Sequence, residues 1–239
     1  MSFWLIKVAA TTLGETGGDA VTMSMHLGYL VGTAIFASIF AVAVGAQIRA
    51  QRFHPFLFWF VILATTTVGT TLADFFDRTL GIGYLGGSSI LVVLLIGCLA
   101  FWYRSMGSVS ISKITSHKAE LFYWSTILFS QTLGTALGDW ISDPGSGLGL
   151  GYGGGAMLFS GGLAIVAAAY FWTKIPRTLL FWAAFILTRP LGATVGDFLD
   201  KPLASGGLEL SRYAASGVIA VFIVACVLLL PQKAETVSD

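Results

Sequence analysis

The chain has 239 residues, of which 56% are apolar and only 10% are charged. A soluble domain carries about 25% charged residues, so a soluble globular enzyme is a poor fit. The net charge of +1 gives no electrostatic ground for a nucleic-acid partner.

Apolar runs such as Ile90–Phe101 and Val218–Leu230 are of membrane-spanning type. The pattern of such runs predicts an all-α integral membrane protein with eight helices. They fall at about 3–20, 27–48, 56–77, 84–104, 121–141, 155–173, 178–199 and 212–231. The first segment belongs to an internal repeat, so a cleaved signal peptide is not expected.

Every odd helix carries one motif in one register. Trp4, Gly14, Gly18 and Asp19 recur as Trp59, Gly69, Ala73 and Asp74. They recur again as Trp124, Gly134, Gly138 and Asp139, and as Trp182, Gly192, Gly196 and Asp197. A fixed period of this kind marks repeat architecture. One membrane domain is expected, with repeats at about 1–52, 53–117, 118–175 and 176–232, each a helical hairpin. The even helices often open on Gly-Tyr, as at Gly28-Tyr29, Gly83-Tyr84 and Gly151-Tyr152, whereas the fourth has Arg212-Tyr213. Residues 105–119 form the longest expected connection, and 147–155 read as a flexible Gly-rich loop. With two helices per repeat, all four repeats point the same way. Such parallel repeats are related by an axis along the membrane normal, so a ring or a two-plus-two bundle follows.

Arg49, Arg52, Arg104, Lys113, Lys118, Lys174, Arg177 and Lys233 fall on the side of the termini, against Arg78, Lys201 and Arg212 opposite. Both termini should therefore be cytoplasmic. Trp4, Trp59, Trp124 and Trp182 would then anchor the inner interface. The aspartates lie fifteen residues on, about 22 Å at the helical rise, and would form an acidic outer mouth that attracts cations.

The small residues Gly14/Gly18, Gly69/Ala73, Gly134/Gly138 and Gly192/Gly196 predict close helix packing. Beside them runs a polar stripe: Thr12, Glu15 and Asp19; Thr67, Thr70 and Asp74; Thr132, Thr135 and Asp139. In lipid such a stripe must face protein or water. Its hydroxyls and carboxylates are hard donors suited to a divalent cation, with Glu15 and Asp19 as candidate ligands. The alternative is that they only glue helices together. In the fourth copy Pro190 and Ala193 replace stripe residues, and Arg189 stands where the others have Thr11, Thr66 and Gln131. Arg189 needs a partner, and Glu15 is the candidate if the ring closes. Lys7 would share the same carboxylates. Such a pair is either a gate that an arriving cation competes with or a register pin.

The remaining candidates are few. His54 and His117 belong to loops, while His26 stands near the acidic mouth. Cys98 and Cys226 suit packing rather than a disulfide or zinc site. No nucleophile–His–Asp set is visible and no cofactor is expected.

The chain resembles bacterial multipass "membrane-anchored" proteins made of four tandem two-helix repeats, in which Lys7–Asp19 looks like the opening of the family. That resemblance implies the architecture and a bacterial inner-membrane location, and no activity. Trp4 stands close to the start, so a few further residues ahead of it would suit the family opening. Taken together, the expectation is a small transporter of a cation, a divalent metal or a proton-coupled species. Its partners would be the bilayer, the cation and a further copy of the chain. A channel, a structural or sensory protein with packing-only motifs, and a membrane lipid or quinone enzyme are the alternatives.

Overall fold

The computed structural model describes residues 2–50, 52–109 and 116–231. Lys113, Lys233 and part of the expected 105–119 connection lie outside them. The eight main helices among the described residues are α1 (Ser2–Asp19), α2 (Gly28–Arg49), α3 (Pro55–Asp74) and α4 (Gly83–Met106), then α5 (His117–Ser142), α6 (Gly151–Trp172), α7 (Arg177–Asp200) and α8 (Arg212–Leu229). Single π-helical turns, Ala20–Ser24 and Phe75–Thr79, extend α1 and α3.

Local chemistry sets these bounds. Pro55 opens α3, where its missing N–H is no loss. Ser116 caps α5 by accepting from the Ala119 amide at 3.2 Å, so α5 starts earlier than expected and shortens the 105–119 connection. Gly107, at φ 72°, closes α4 in the left-handed region.

The four odd helices form a closed inner ring, α1–α3–α5–α7 and back to α1. The motif glycines make this possible. A Cβ on Gly14 would meet Thr66, one on Gly69 would meet Gln131, one on Gly134 would meet Arg189, and one on Gly192 would meet Thr11. Each glycine therefore receives the residue three positions before the glycine of the next repeat. The fourth repeat hands on to the first.

The same cyclic rule governs the aromatic end. Phe3 packs on Trp59 at 5.5 Å, Phe58 on Trp124 at 6.4 Å, Tyr123 on Trp182 at 6.3 Å and Phe181 on Trp4 at 5.4 Å. Trp59, Trp124 and Trp182 are buried. Trp59, Trp124 and Trp182 thus pack inward against an aromatic ring of the preceding repeat as core residues of the bundle end, and Trp4 is half-buried.

The even helices depart from the expected hairpins. α2 packs on α3, α4 on α5, α6 on α7 and α8 on α1. Each second helix covers the first helix of the following repeat, because the grooves of the inner ring lie between repeats. These outer helices expose apolar side chains: in their most apolar windows only 17%, 28%, 11% and 17% of residues are buried for α2, α4, α6 and α8, against 67% and 61% for α3 and α7. Among the described residues six helices are long and apolar enough to cross a membrane; α1 and α5 are not among them. α1 carries Lys7, Glu15 and Asp19 and keeps them inside the ring. The helices fit a membrane-embedded protein.

The Gly-rich segment is not a flexible loop throughout. Gly151–Gly155 form the first turn of α6, and a Cβ on Gly155 would meet Ser142 and Thr194. The remaining loop is pinned, with the Leu148 amide donating to the Trp140 carbonyl at 2.6 Å.

Candidate functional site

Spacing by four residues stacks inward-facing positions in tiers. Along the ring from its aromatic end come Lys7, Ile62, Ile127 and Phe185; then Thr11, Thr66, Gln131 and Arg189; then Glu15, Thr70, Thr135 and Ala193; then Asp19, Asp74, Asp139 and Asp197. All sixteen are buried.

Arg189 fills the middle of the ring. It is fully buried and reaches every other inner helix. One Nη2 contact goes to Glu15 Oε2 at 2.8 Å and another to Thr135 Oγ1 at 2.5 Å. Nη2 also meets Thr70 Oγ1, while Nη1 donates to the Thr11 carbonyl at 2.9 Å and Nε to the Gln131 carbonyl at 3.3 Å. Thr70 in turn donates to Glu15 Oε2 at 3.2 Å. Glu15, Thr70 and Thr135 are brought together with Arg189. Helix interiors offer few carbonyl acceptors; the close approach enforced by the glycines brings them within reach.

Thr12, Thr67 and Thr132 behave differently. Each donates to its own helix, to the carbonyls of Val8, Leu63 and Leu128 at 3.0, 2.9 and 2.9 Å. Their hydroxyls are spent locally and do not join the central cluster. Lys7 does not share the carboxylate of Glu15. Among the described residues its ammonium touches no carboxylate and has no hydrogen-bond partner; it lies 4.2 Å from the centroid of the Phe185 ring. Glu15 is two helical turns away along α1, which puts it out of reach.

The aspartates are not an open mouth. Arg78 binds Asp74 at 2.8 Å and Asp139 at 3.1 Å. Lys201 binds Asp197 at 3.0 Å and Asp19 at 2.5 Å. Arg212 holds Asp200 at 3.0 Å and lies 3.9 Å from Asp19. Each bridging cation joins its own repeat to the next, in repeats two and four only. The fourfold frame therefore carries a twofold pattern of charge. Arg78, Lys201 and Arg212 entered the sequence reading only as markers of orientation. Their signal was there in Asp74-x3-Arg78 and Asp197-x3-Lys201, four residues beyond the motif.

Two carboxylate groupings result among the described residues. Oxygens of Glu15, Asp139 and Asp197 lie within 4.8 Å of one another, as do those of Asp19, Asp197 and Asp200. Lys201 already spans Asp19 and Asp197 of the second group. In the first group each carboxylate meets a different cation: Arg189, Arg78 or Lys201. Asp19 Oδ1 and Asp200 Oδ1 have no hydrogen-bond partner. His26 is exposed and in neither group. Beyond the helix end, burial opposes ionisation of Asp143, but the Gly145 amide, the Tyr84 hydroxyl and the Ser146 amide and hydroxyl outweigh it and hold its pKa below the usual range. The Tyr84 hydroxyl donates to Asp143 Oδ2 at 3.0 Å.

A closed ring of four helical repeats, apolar outside and charged inside, fits a membrane-embedded protein with an internal polar core. The chain belongs to the family of the Repeat of Unknown Function (DUF347), whose model matches it four times, at residues 2–53, 57–108, 122–175 and 180–231. Neither a curated protein nor a solved structure gives a significant match.

Proposed function

We propose that the protein is a small transporter of a cation, a hard divalent metal or a proton-coupled species, in a bacterial inner membrane. All eight helices span the bilayer and both termini are cytoplasmic. The observation that carries this reading is a charge imbalance. Glu15, Asp19, Asp74, Asp139, Asp197 and Asp200 form one connected cluster with Arg78, Arg189, Lys201 and Arg212. Two formal negative charges are left over. Uncompensated charge in a membrane interior is costly, and such groups mark ion pathways. A divalent cation, or two protons, would balance the cluster.

Glu15, Asp139 and Asp197 would take the cation, as an all-oxygen set suited to Mg²⁺, Mn²⁺ or Ca²⁺. Asp19 and Asp74 would accept it first at the outer end. Arg78 and Arg212 are the partly exposed cations of the cluster, with side chains 33% and 21% exposed, and would yield first. Arg189 is the inner gate. A cation at Glu15 competes with its guanidinium, and below it the Ile62, Ile127 and Phe185 tier and the aromatic ring close the path.

Flux in sealed proteoliposomes tests this reading, with protons, Mg²⁺, Mn²⁺ and Ca²⁺ offered in turn. Wild type should carry one of them, and Glu15→Gln should abolish flux while keeping the helical content. A second reading has its own support: Arg189 donates to three other inner helices, as a structural pin would. Absence of flux in a correctly folded wild type would establish that packing role instead.

A further inference from the structure

The geometry points to Lys7 as a proton-binding site whose occupancy excludes the cation, so that the protein exchanges one for the other. This rests on the cation site proposed above and adds its coupling ion. Lys7 is fully buried, and its Nζ has no hydrogen-bond partner. What it has is the face of Phe185 at 4.2 Å. Phe185 lies four residues before Arg189 on α7, so the ammonium sits about one helical turn, about 6 Å along the axis, beneath Arg189.

The neighbours of Lys7 leave Arg189 as the charge that matters. Its tier supplies Ile62 from α3 and Ile127 from α5. On α8, Ser216 meets Thr16 at 2.8 Å; α8 runs antiparallel, which brings the thiol of Cys226 to the level of Lys7. No carboxylate lies at this level among the described residues of α1, α3, α5, α7 and α8. The nearest along α1 is Glu15, whose charge is spent on Arg189.

The coupling follows from charge alone. While Glu15 neutralises Arg189, Lys7 can keep its proton, held by the Phe185 ring. When a cation takes Glu15, the guanidinium is uncovered and repels the ammonium across a medium of low dielectric. The N–H⁺ bond of Lys7 breaks, its electron pair stays on Nζ, and the proton passes to a water molecule and from there to bulk solvent. Gln131 is in the tier next above, fully buried, with neither its amide oxygen nor its nitrogen partnered. It puts an unpartnered polar group between the Lys7 and Glu15 tiers. Protonated Lys7 and bound cation are therefore alternative states, as exchange requires.

The test is a titration of detergent-solubilised protein with Mn²⁺ in weak buffer. Bound metal is read by its paramagnetic resonance and released protons by a pH dye. Wild type should release about one proton for each Mn²⁺ bound at the linkage limit. Lys7→Met should bind Mn²⁺ and release none, and an apolar side chain suits that tier, so folding is safe. Lys7→Arg keeps a fixed charge and should bind Mn²⁺ roughly tenfold more weakly. Equal proton release by Lys7→Met would assign the proton to the carboxylates and overturn the coupling alone. Folded wild type that binds no Mn²⁺ would overturn the cation site, and the coupling with it.

Discussion

The two ends of the inner ring are held by opposite means. At the end of Trp4, Trp59, Trp124 and Trp182, every repeat gives an aromatic side chain to the next, and the four contacts are equivalent. At the end of Asp19, Asp74, Asp139 and Asp197 the contacts are ionic, and only two repeats supply the cation. Packing is tolerant of repetition because the same shape can serve four times. Charge is not, since four equal acids in one buried tier repel and must be divided among unlike partners. The chain has kept one steric frame and differentiated its chemistry along the axis, with Arg189 standing at the change from one regime to the other.

Removing the cation at that boundary should give the largest loss. Arg189→Leu leaves Glu15 buried and unpaired, and breaking a buried pair costs about 3–5 kcal/mol. Thermal unfolding in detergent would show it, and Glu15→Gln in the same chain should restore part of the loss; additive effects in that double-mutant cycle would contradict the pairing. At the aromatic end, Trp59→Ala should cost about 3–5 kcal/mol by opening a cavity, and unlike the charge change it should be insensitive to salt and pH. A smaller effect separates the frame from its decoration. Gly192→Ala places a methyl against Thr11 and should cost about 1–3 kcal/mol through overpacking. Gly17→Ala, with nothing within 4 Å of the new Cβ, should instead gain up to about 1 kcal/mol of helix propensity. Equal outcomes for the two would remove the close-approach explanation.

The smallest effect belongs to pH at the loop after α5. The Asp143 pKa is lowered in the folded chain, where burial is outweighed by donors from Gly145, Tyr84 and Ser146. Its contribution is therefore present above the unfolded value of about 3.9 and is lost as pH falls through the lower folded one. Asp143→Asn should flatten a slight decline in stability below about pH 4 and leave neutral-pH behaviour nearly unchanged.

Much of this was legible in the residues. The register of Trp, Gly and Asp fixes the repeats, the small residues mark the contact faces, and a lone Arg189 opposite Glu15 implies closure of the ring. The outer helices were not legible, because an apolar helix fits the groove of its own repeat and that of the next equally well by composition. Lys201 and Arg78 were missed because helix-end cations read as topology signals; only the folded ring brings Lys201 to Asp19, 182 residues away. Lys7 went to the wrong partner for the opposite reason. Its charge suggested a carboxylate, whereas its position, two turns from Glu15, allowed only a ring face.

Closure of the ring has a consequence in time. Glu15 and Arg189 are 174 residues apart, and synthesis proceeds at about 5–20 residues per second. Helix α1 therefore waits roughly 10–35 s on that clock for the guanidinium that neutralises it, and longer for α8, which covers its flank. Until then a Glu, an Asp and a Lys stand on a helix that has α3 on one side and neither α7 nor α8 on the other. Closure of the ring, as distinct from the stacking of its first three inner helices, is thus a late event. A ribosome stalled before repeat four would hold three-quarters of the sequence and an open, charged seam, which is the species a quality-control protease would be expected to meet.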